Sequence, residues 1–235
     1  MDNVIIIGSS HIAKQSLAEV EQTILREKPD FVAIELDKKR FAGLISGHKQ
    51  NIGLEHIRKF GLKGFMFNLI GGWVERKLGR LVGVKPGSEM MMAFNTAKKV
   101  GAKIALIDQD IDITMRKFSK AFGRKEKWHL LRDLFNSIFF RKREMKRLGI
   151  GKLDLSKVPP KKLINKLIKR VKEDYPGIYR VLIDERNRYM AEMLMKLESS
   201  NPGKKIVAVV GAGHEDAISE LLDKKNRITF TYSVG

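Results

Sequence analysis

The chain has 235 residues, 43% of them hydrophobic, which is enough to bury the core of one domain, and we predict a single domain over residues 1–235. It contains no cysteine, so disulfides, thiolate metal sites and cysteine nucleophiles are excluded, and any bound metal must use histidine and carboxylate ligands. The formal net charge of +19 indicates a strongly basic surface.

Strand and helix patterns alternate along the chain. Short β-branched runs bounded by Gly, Pro or Asp predict strands, and apolar residues at helical spacing predict helices. The predicted elements in order are a strand at 3–8, a helix at 12–28, a strand at 31–36, a helix at 89–100 that is capped by Ser88 and ended by Gly101, a strand at 103–108, a helix at 178–198, a strand at 205–211, a helix at 215–223 and a strand at 227–232. This alternation predicts an α/β fold with a mainly parallel central sheet flanked by helices.

Two stretches do not follow this alternation. Residues 47–86 are rich in glycine and contain an amphipathic segment, which suits either a helix docked on the sheet or a helix on a membrane surface. Residues 111–175 predict an inserted basic helical lobe, and its part between 116 and 172 holds 20 Lys and Arg against 4 Asp and Glu, a net +16. The lobe could contact an anionic membrane surface or an acidic peptide, with nucleic acid less favoured, or simply present a solvated basic surface.

The hydrophobic segments are too short to target or anchor the chain in a membrane. The N-terminal apolar run, 4–7, has four residues and predicts a strand rather than a signal peptide. No window has the roughly 18 uninterrupted apolar residues that a membrane-spanning helix needs. We therefore expect a protein in the cytoplasm or at the cytoplasmic face of a membrane.

Polar residues follow four of the predicted strands. His11, Glu35, Asp108 and His214 each come at or just after the end of one strand. Because the carboxyl ends of parallel strands meet at one edge of the sheet, where ligands bind in open α/β folds, we expect these four side chains to line one crevice.

Two of these positions share the spacing Gly-x-x-His, from Gly8 to His11 and from Gly211 to His214. Each glycine predicts a tight turn that places the histidine at the start of a helix, where the helix dipole disfavours imidazolium. A neutral imidazole suits a metal ligand or a general base. With Glu35, the two histidines form the ligand set of a catalytic divalent metal such as Zn, Mn or Co, with a position open to water.

These carboxylates also have structural alternatives. Glu35 could pair with Arg40, five residues on, or cap a helix, and Asp108 and Asp110 could begin a loop through Asx-type hydrogen bonds. The sequence has no GxSxG, P-loop or GxGxxG motif, which argues against a serine hydrolase, a nucleotide triphosphatase and a dinucleotide enzyme.

Two further carboxylates fall on predicted apolar stripes of helices. Glu89 aligns with Ala93 and Ala97, and Glu185 lies about 20° from Ile178 in helical projection. A carboxylate that faces a core needs a partner or a metal. For Glu185, an ion pair with the basic residues that follow it explains the position as well as a catalytic role does.

Five motifs, in this order, resemble the TraB/PrgY family: GSSH at 8–11, PDFVAIELDKKR at 29–40, PGSEMMMAFNTAKKVGAKIALIDQD at 86–110, DERNRYMAEML at 184–194 and VAVVGAGHEDAI at 207–218. The match covers most of the chain, although residues 116–172 carry little of it. Where members commonly read DRD, this chain has DQD at 108–110, so a cationic contact is lost. The family is related to the Tiki metalloproteases, the erythromycin-esterase-like hydrolases and the ChaN-like haem-binding proteins, and the resemblance implies their fold.

The resemblance also implies a metal-dependent site. Carried over to this chain, the metal ligands are His11, His214 and Glu35, and the catalytic residues are Glu35, His214, Glu185 and Arg186. PrgY-like members are associated with blocking self-response to a peptide pheromone, by degrading or sequestering it. A peptide is therefore the expected substrate or ligand.

We therefore expect a metal-dependent hydrolase that cleaves peptides. In this hypothesis Glu35 or Glu185 is the general base for a metal-bound water, and Arg186 or Arg40 stabilises the oxyanion. The residues expected to bind substrate are Arg40, Glu89 and Asp108. The alternative is a non-catalytic protein that sequesters a peptide or a haem-like ligand in the same crevice.

Overall fold

The structure is a computed structural model that describes residues 3–9, 14–46, 87–121, 123 and 161–232. Its elements in chain order are β1 (Val4–Ser9), α1 (Lys14–Glu27), β2 (Phe31–Ile34), α2 (Lys38–Ser46), α3 (Ser88–Val100), β3 (Lys103–Leu106), α4 (Ile111–Ala121), α5 (Lys161–Asp174), α6 (Pro176–Tyr179), a π-helical turn (Arg180–Asp184), α7 (Glu185–Ser199), β4 (Ile206–Gly211) and α8 (Glu215–Tyr232). The amphipathic segment predicted within 47–86 lies outside the described residues.

The four described strands form one parallel sheet in the order β1-β4-β2-β3. β1 and β2 are joined through α1 and are parallel, as predicted, and β4 lies between them. Ile206 at the start of β4 is in register with Val4 of β1 and with Phe31 of β2. Since all strands run in the same direction, their carboxyl ends meet at one edge, and the predicted α/β architecture is confirmed.

Helices cover both faces of this sheet. The side chains of β4 alternate: Val207 and Val209 pack in a core with α1 and α3, whereas Ile206, Ala208 and Val210 pack in a second core with α7 and α8. All six residues of β4 are buried, which explains its unbroken apolar sequence. Each fully buried Val or Ile contributes about 1.5–3 kcal/mol to stability. The strand is therefore firmly packed, and the loop that follows it begins from a fixed point.

Three predictions about the elements are wrong in detail. Residues 227–232 were expected to form a closing strand, but they belong to α8, because no Gly or Pro lies between Asp223 and Tyr232 to end the helix. Ser88 is the first residue of α3 rather than its cap; the cap position is Gly87, whose φ of 81° is left-handed and which makes no side-chain cap bond. β2 and β3 end two residues earlier than predicted, so Glu35 and Asp108 lie in the loops that follow.

The described parts of the predicted basic lobe are helical. They comprise α4 and α5, and α5 has no fully buried residue. The remainder of the lobe lies outside the described residues, so its insertion into the domain stays a prediction. In the ranges that the structure describes, no helix combines the length and the apolar character needed to cross a membrane.

Candidate active site

Side chains from three strand-end loops and from α7 meet at the carboxyl edge of the sheet. They are Glu35 after β2, Asp108 after β3, His214 after β4 and Arg186 in the first turn of α7. Three of the four positions predicted to share a crevice are thus brought together. The fourth, His11, lies outside the described residues.

Arg186 is the centre of this cluster. Its Nε and Nη2 donate to the two carboxylate oxygens of Asp108 at 2.9 and 2.8 Å, and Nη2 also donates to Glu35 Oε1. The Arg186 side chain is only 15% exposed, and those of Glu35 and Asp108 are 3% and 2% exposed. Burial lowers the pKa of Arg186, but the attraction of Glu35 and Asp108 outweighs that effect and raises the pKa further above its ordinary value. Arg186 therefore stays a cation.

Asp108 also binds a second guanidinium. Arg40 Nη1 donates to Asp108 Oδ2 at 2.9 Å, so the residue considered as a partner for Glu35 forms an ion pair with Asp108. Arg40 is held in place by Asp37, whose Oδ1 accepts the backbone N–H groups of Lys39 and Arg40 and so caps α2. Two carboxylates and two guanidiniums leave the cluster formally neutral.

The Asx-type alternative holds for both aspartates of the β3 loop. Asp108 Oδ1 accepts the N–H of Gln109 at 2.8 Å while it also binds Arg186, and Asp110 Oδ1 accepts the N–H of Asp112 at 2.7 Å at the start of α4. At position 109 the glutamine is buried and its Oε1 accepts from the Thr114 hydroxyl at 3.2 Å. The loop geometry and the cluster therefore use the same carboxylate.

The tight turn predicted after Gly211 is confirmed, because its carbonyl accepts the N–H of His214 at 2.8 Å and α8 begins at the next residue. The turn predicted after Gly8 lies outside the described residues. Gly211 also donates its backbone N–H to Glu35 Oε2 at 2.6 Å. Glu35 thus receives a charged donor on one oxygen and a backbone donor on the other, and both favour the carboxylate form.

His214 is held in one tautomer by its neighbours. Its Nε2 lies 3.3 Å from Arg186 Nη1, and because a guanidinium can only donate, Nε2 must carry the lone pair. The proton therefore belongs on Nδ1, which lies 2.5 Å from Asn187 Oδ1. This pairing leaves Nε2, the nitrogen that faces Glu35 Oε1 at 3.4 Å, as the ring atom able to bind a metal or a proton.

Asn187 is a site residue that the sequence analysis missed. Only 4% of it is exposed, and it belongs to the buried stripe of α7 with Met190, Ala191 and Leu194. The positions i, i+3, i+4 and i+7 place a polar residue on the core face of the helix. Testing each polar residue of the DERN segment against this stripe would have selected Asn187.

Glu185 lies elsewhere. Its carboxylate pairs with Lys117 Nζ at 2.6 Å and with Arg180 Nε at 3.7 Å, and its side chain is 27% exposed. The ion-pair alternative therefore describes Glu185, and the prediction that its side chain faces the core was wrong. The reason is the π-helical turn before α7, since a projection of 100° per residue from Ile178 assumes an unbroken α-helix.

The same π-helical turn helps to place Arg186. The N–H of Glu185 bonds the carbonyl of Arg180, five residues back, and the carbonyl of Leu182 accepts from Arg186 Nη1 at 3.2 Å. π-helical turns within helices are frequent at functional sites. Here the turn supplies a backbone acceptor to the side chain at the centre of the cluster.

Glu89 is buried as its stripe predicted. It is 1% exposed in the first turn of α3, which also buries Met90, Ala93 and Ala97. Its assignment to substrate binding stays a prediction.

The described residues include two of the three predicted metal ligands. His214 Nε2 and Glu35 Oε1 are 3.4 Å apart, and two donor atoms bound at about 2.0–2.2 Å to one tetrahedral Zn would have a similar separation. Among the described residues there is no group of three His, Asp or Glu placed to hold a metal ion. The predicted third ligand is His11, so these two donors fit part of such a site.

The tautomer assignment can be tested through Asn187. In Asn187→Asp the His214 ring should stay protonated to higher pH than in the wild type, because a carboxylate beside Nδ1 favours the imidazolium. Asn201→Asp, whose parent amide bonds the Leu197 carbonyl, is the control and should leave the titration unchanged. The measurement is a pH titration of the imidazole ¹⁵N shifts; equal titration of His214 in all three proteins would contradict the assignment.

Known proteins with similar sequences bear on this arrangement. The sequence matches the model of the TraB/PrgY/gumN family over residues 2–232. An uncharacterized protein of Methanocaldococcus jannaschii is 39% identical over 225 residues, which are 94% of this chain and 54% of that protein. The TraB domain-containing proteins of Homo sapiens and Bos taurus are each 25% identical over 241 residues, covering 92% of this chain and 62% of theirs.

These relatives are longer than the chain, which spans between about half and three fifths of their length. The family match, in contrast, runs through every strand of the sheet and through each residue of the described cluster. The chain therefore belongs to the TraB/PrgY/gumN family.

Proposed function

We propose that the cluster is a metal-assisted hydrolytic site that acts on peptides. The observation that supports this most is the pairing of His214 Nε2 with Glu35 Oε1, 3.4 Å apart at the carboxyl edge of the sheet. The ring is oriented from behind by a hydrogen bond to Asn187, as metal-binding histidines commonly are. His214 and Glu35, with His11 as the predicted third ligand, would hold the metal.

The metal would supply a bound water of lowered pKa at this edge. Glu35 is the better general base of the two candidates because it lies beside His214 at the carboxyl edge, whereas Glu185 pairs with Lys117 and Arg180 away from the cluster. In this proposal Glu35 would accept the proton of that water.

Arg186 has to serve two purposes in this proposal. Its Nη1 and Nη2 contact the atoms of His214 and Glu35 that would bind the metal, so these contacts must be exchanged when a metal binds. The bidentate bond to Asp108 is independent of both atoms and keeps the guanidinium at the site. From there Arg186 can stabilise negative charge on a substrate carbonyl oxygen.

The experiment combines metal analysis with an activity assay. Purified protein is assayed for bound metal and for cleavage of a peptide library with and without added Mn, Co or Zn. His214→Ala should lose metal and cleavage together, whereas Asn201→Ala, remote from the cluster contacts, should retain both. If the protein takes up no metal and His214→Ala cleaves peptides as well as the wild type does, the proposal is contradicted.

A second candidate is binding without turnover. It is favoured by the contacts of Arg186, which engage Glu35 Oε1 and His214 Nε2, the groups that a hydrolase would need for chemistry. In that case a peptide or a haem-like ligand binds the crevice, and His214→Ala binds it as well as the wild type does. Ligand binding without cleavage in either protein, under every metal condition, would select this candidate.

A further inference from the structure

A groove runs along the outer edge of β1. Four consecutive strand residues, 5–8, form its floor, and its walls come from α1 on one side and from α5 on the other. Its volume is about 340 Å³, within the range of roughly 300–1,000 Å³ that ligand sites occupy. It ends beside Ala212 and Glu215, which flank the turn that carries His214.

The backbone groups of β1 alternate between β4 and this groove. The carbonyl of Asn3 accepts from Ile206, and the carbonyl of Ser9 accepts from Ala212, so the odd-numbered residues face β4. In a strand the next residue points its N–H and C=O to the opposite edge, which turns those of Ile6 and Gly8 toward the groove. Within the described ranges, no backbone hydrogen bond crosses this edge at Ile6 or Gly8.

The chemistry of the groove favours a peptide over an anionic polymer. Its charged residues are of both signs: Glu19 and Arg26 from α1, Lys161 from α5, and Glu215 from α8. Lys161 is neutralised by Glu215 at 3.0 Å and by Asp216 at 3.2 Å. A phosphate-rich ligand needs an excess of cations, which the described residues of these walls do not supply. What the floor offers instead is a row of donors and acceptors spaced about 6.6 Å apart, the repeat of every second residue in an extended chain.

We propose that an extended peptide segment pairs with the outer edge of β1 and is led along it to the cluster around His214. That the peptide is a substrate rests on the proposed function; that a peptide binds here does not. Pairing of an added strand with an exposed sheet edge is a recurrent mode of peptide recognition, with affinity from main-chain hydrogen bonds.

Gly8 connects the groove to the candidate site. A Cβ added to Gly8 would lie 2.1 Å from Glu215 Oε2, so only glycine lets that carboxylate lie against the end of the strand. Glu215 is the residue after His214 and is held from the other wall by Lys161. A chain paired with β1 therefore leaves the groove at the start of α8, where the cluster begins.

The test uses two variants at one position in a chain that cannot turn over substrate. In a His214→Ala background, binding of a fluorescein-labelled decapeptide of alternating Thr and Val, with a Lys at each end, is followed by anisotropy. Ile6→Pro removes the N–H that faces the groove, and proline is tolerated on an edge strand at such a position. Ile6→Ala removes the same side chain but keeps the N–H. We expect Ile6→Pro to bind roughly tenfold more weakly than Ile6→Ala, or worse.

A change in the peptide gives the same information if Ile6→Pro fails to fold. N-methylation of alternate residues should abolish binding for one parity and spare it for the other, because only every second residue faces β1. The proposal would be overturned if the two Ile6 variants bound the peptide equally, or if N-methylation weakened binding to the same extent at odd and even residues. It would also be overturned if the wild type formed a dimer that Ile6→Pro dissociates and the peptide did not bind.

The two proposals can fail separately. If peptide binding depends on the parity of N-methylation but no metal uptake or cleavage is found, the peptide-binding groove is supported and the hydrolase proposal is contradicted. Metal-dependent cleavage lost in His214→Ala, with no effect of Ile6→Pro or of N-methylation, would do the reverse.

Discussion

Replacing Arg186 with alanine should lower the free energy of unfolding by about 3–5 kcal/mol, because it strands two buried carboxylates that share this guanidinium. Glu35 and Asp108 are 3% and 2% exposed and would lose three of their hydrogen bonds at once. Asp108 would keep Arg40, whereas Glu35 would keep the Gly211 N–H. For a chain of this size we expect the Tm to fall by about 6–20 °C.

The measurement is urea unfolding followed by circular dichroism. Arg188→Ala is the matched control: it lies two residues further on, its side chain is 66% exposed, and it pairs with Asp184. Its loss should cost no more than about 1 kcal/mol. Arg186→Lys should recover only part of the stability, since an ammonium cannot form the bidentate bond to Asp108.

The pH dependence adds a second readout. In Arg186→Ala the stranded carboxylates can be neutralised by taking up protons, so the deficit relative to wild type should shrink as the solution is acidified. A deficit that matches that of Arg188→Ala, or one that does not change with pH, would mean that the cluster does not contribute to folding in this way.

The sequence allowed prediction of those features that depend on one strand at a time, namely the strands themselves and the polar residues that follow them. The apolar run of β4, bounded by polar residues, indicated a central parallel strand, and a polar residue at the end of a parallel strand must lie at the ligand-binding edge. That reasoning placed Glu35, Asp108 and His214 correctly without any knowledge of their partners. The strand order β1-β4-β2-β3 was not needed for it.

What could not be predicted depends on the rotation of α7 and on contacts between distant segments. The π-helical turn changes the face that later residues present relative to Ile178, so Glu185 was placed inward. Arg186 reaches Glu35 across 151 positions and Asp108 across 78, and local periodicity contains no information about such pairs. The prediction of a strand at 227–232 was wrong for a related reason. Its β-branched alternation was considered without the helix that continues through these residues.

The substitution of Glu35 by glutamine should separate the two candidate bases. Glu35 accepts from Arg186 on one oxygen and from the Gly211 N–H on the other, and a glutamine must turn its NH₂ toward one of these donors. The mismatch leaves a buried donor without an acceptor and should destabilise the protein by about 1–3 kcal/mol. On the proposed function, cleavage should also fall by roughly 10²–10⁴-fold, the usual effect of a general base.

Glu185→Gln is the same chemical change at a partly exposed ion pair. Its partners Lys117 and Arg180 are 44% and 64% exposed, so the loss should be about 1 kcal/mol or less, and cleavage should stay within a few-fold of wild type. Both variants are compared by urea unfolding and by the metal-dependent cleavage assay. If Glu185→Gln abolishes cleavage and Glu35→Gln does not, the base lies in the ion pair of α7, and the chemistry has to be sought away from the carboxyl edge of the sheet.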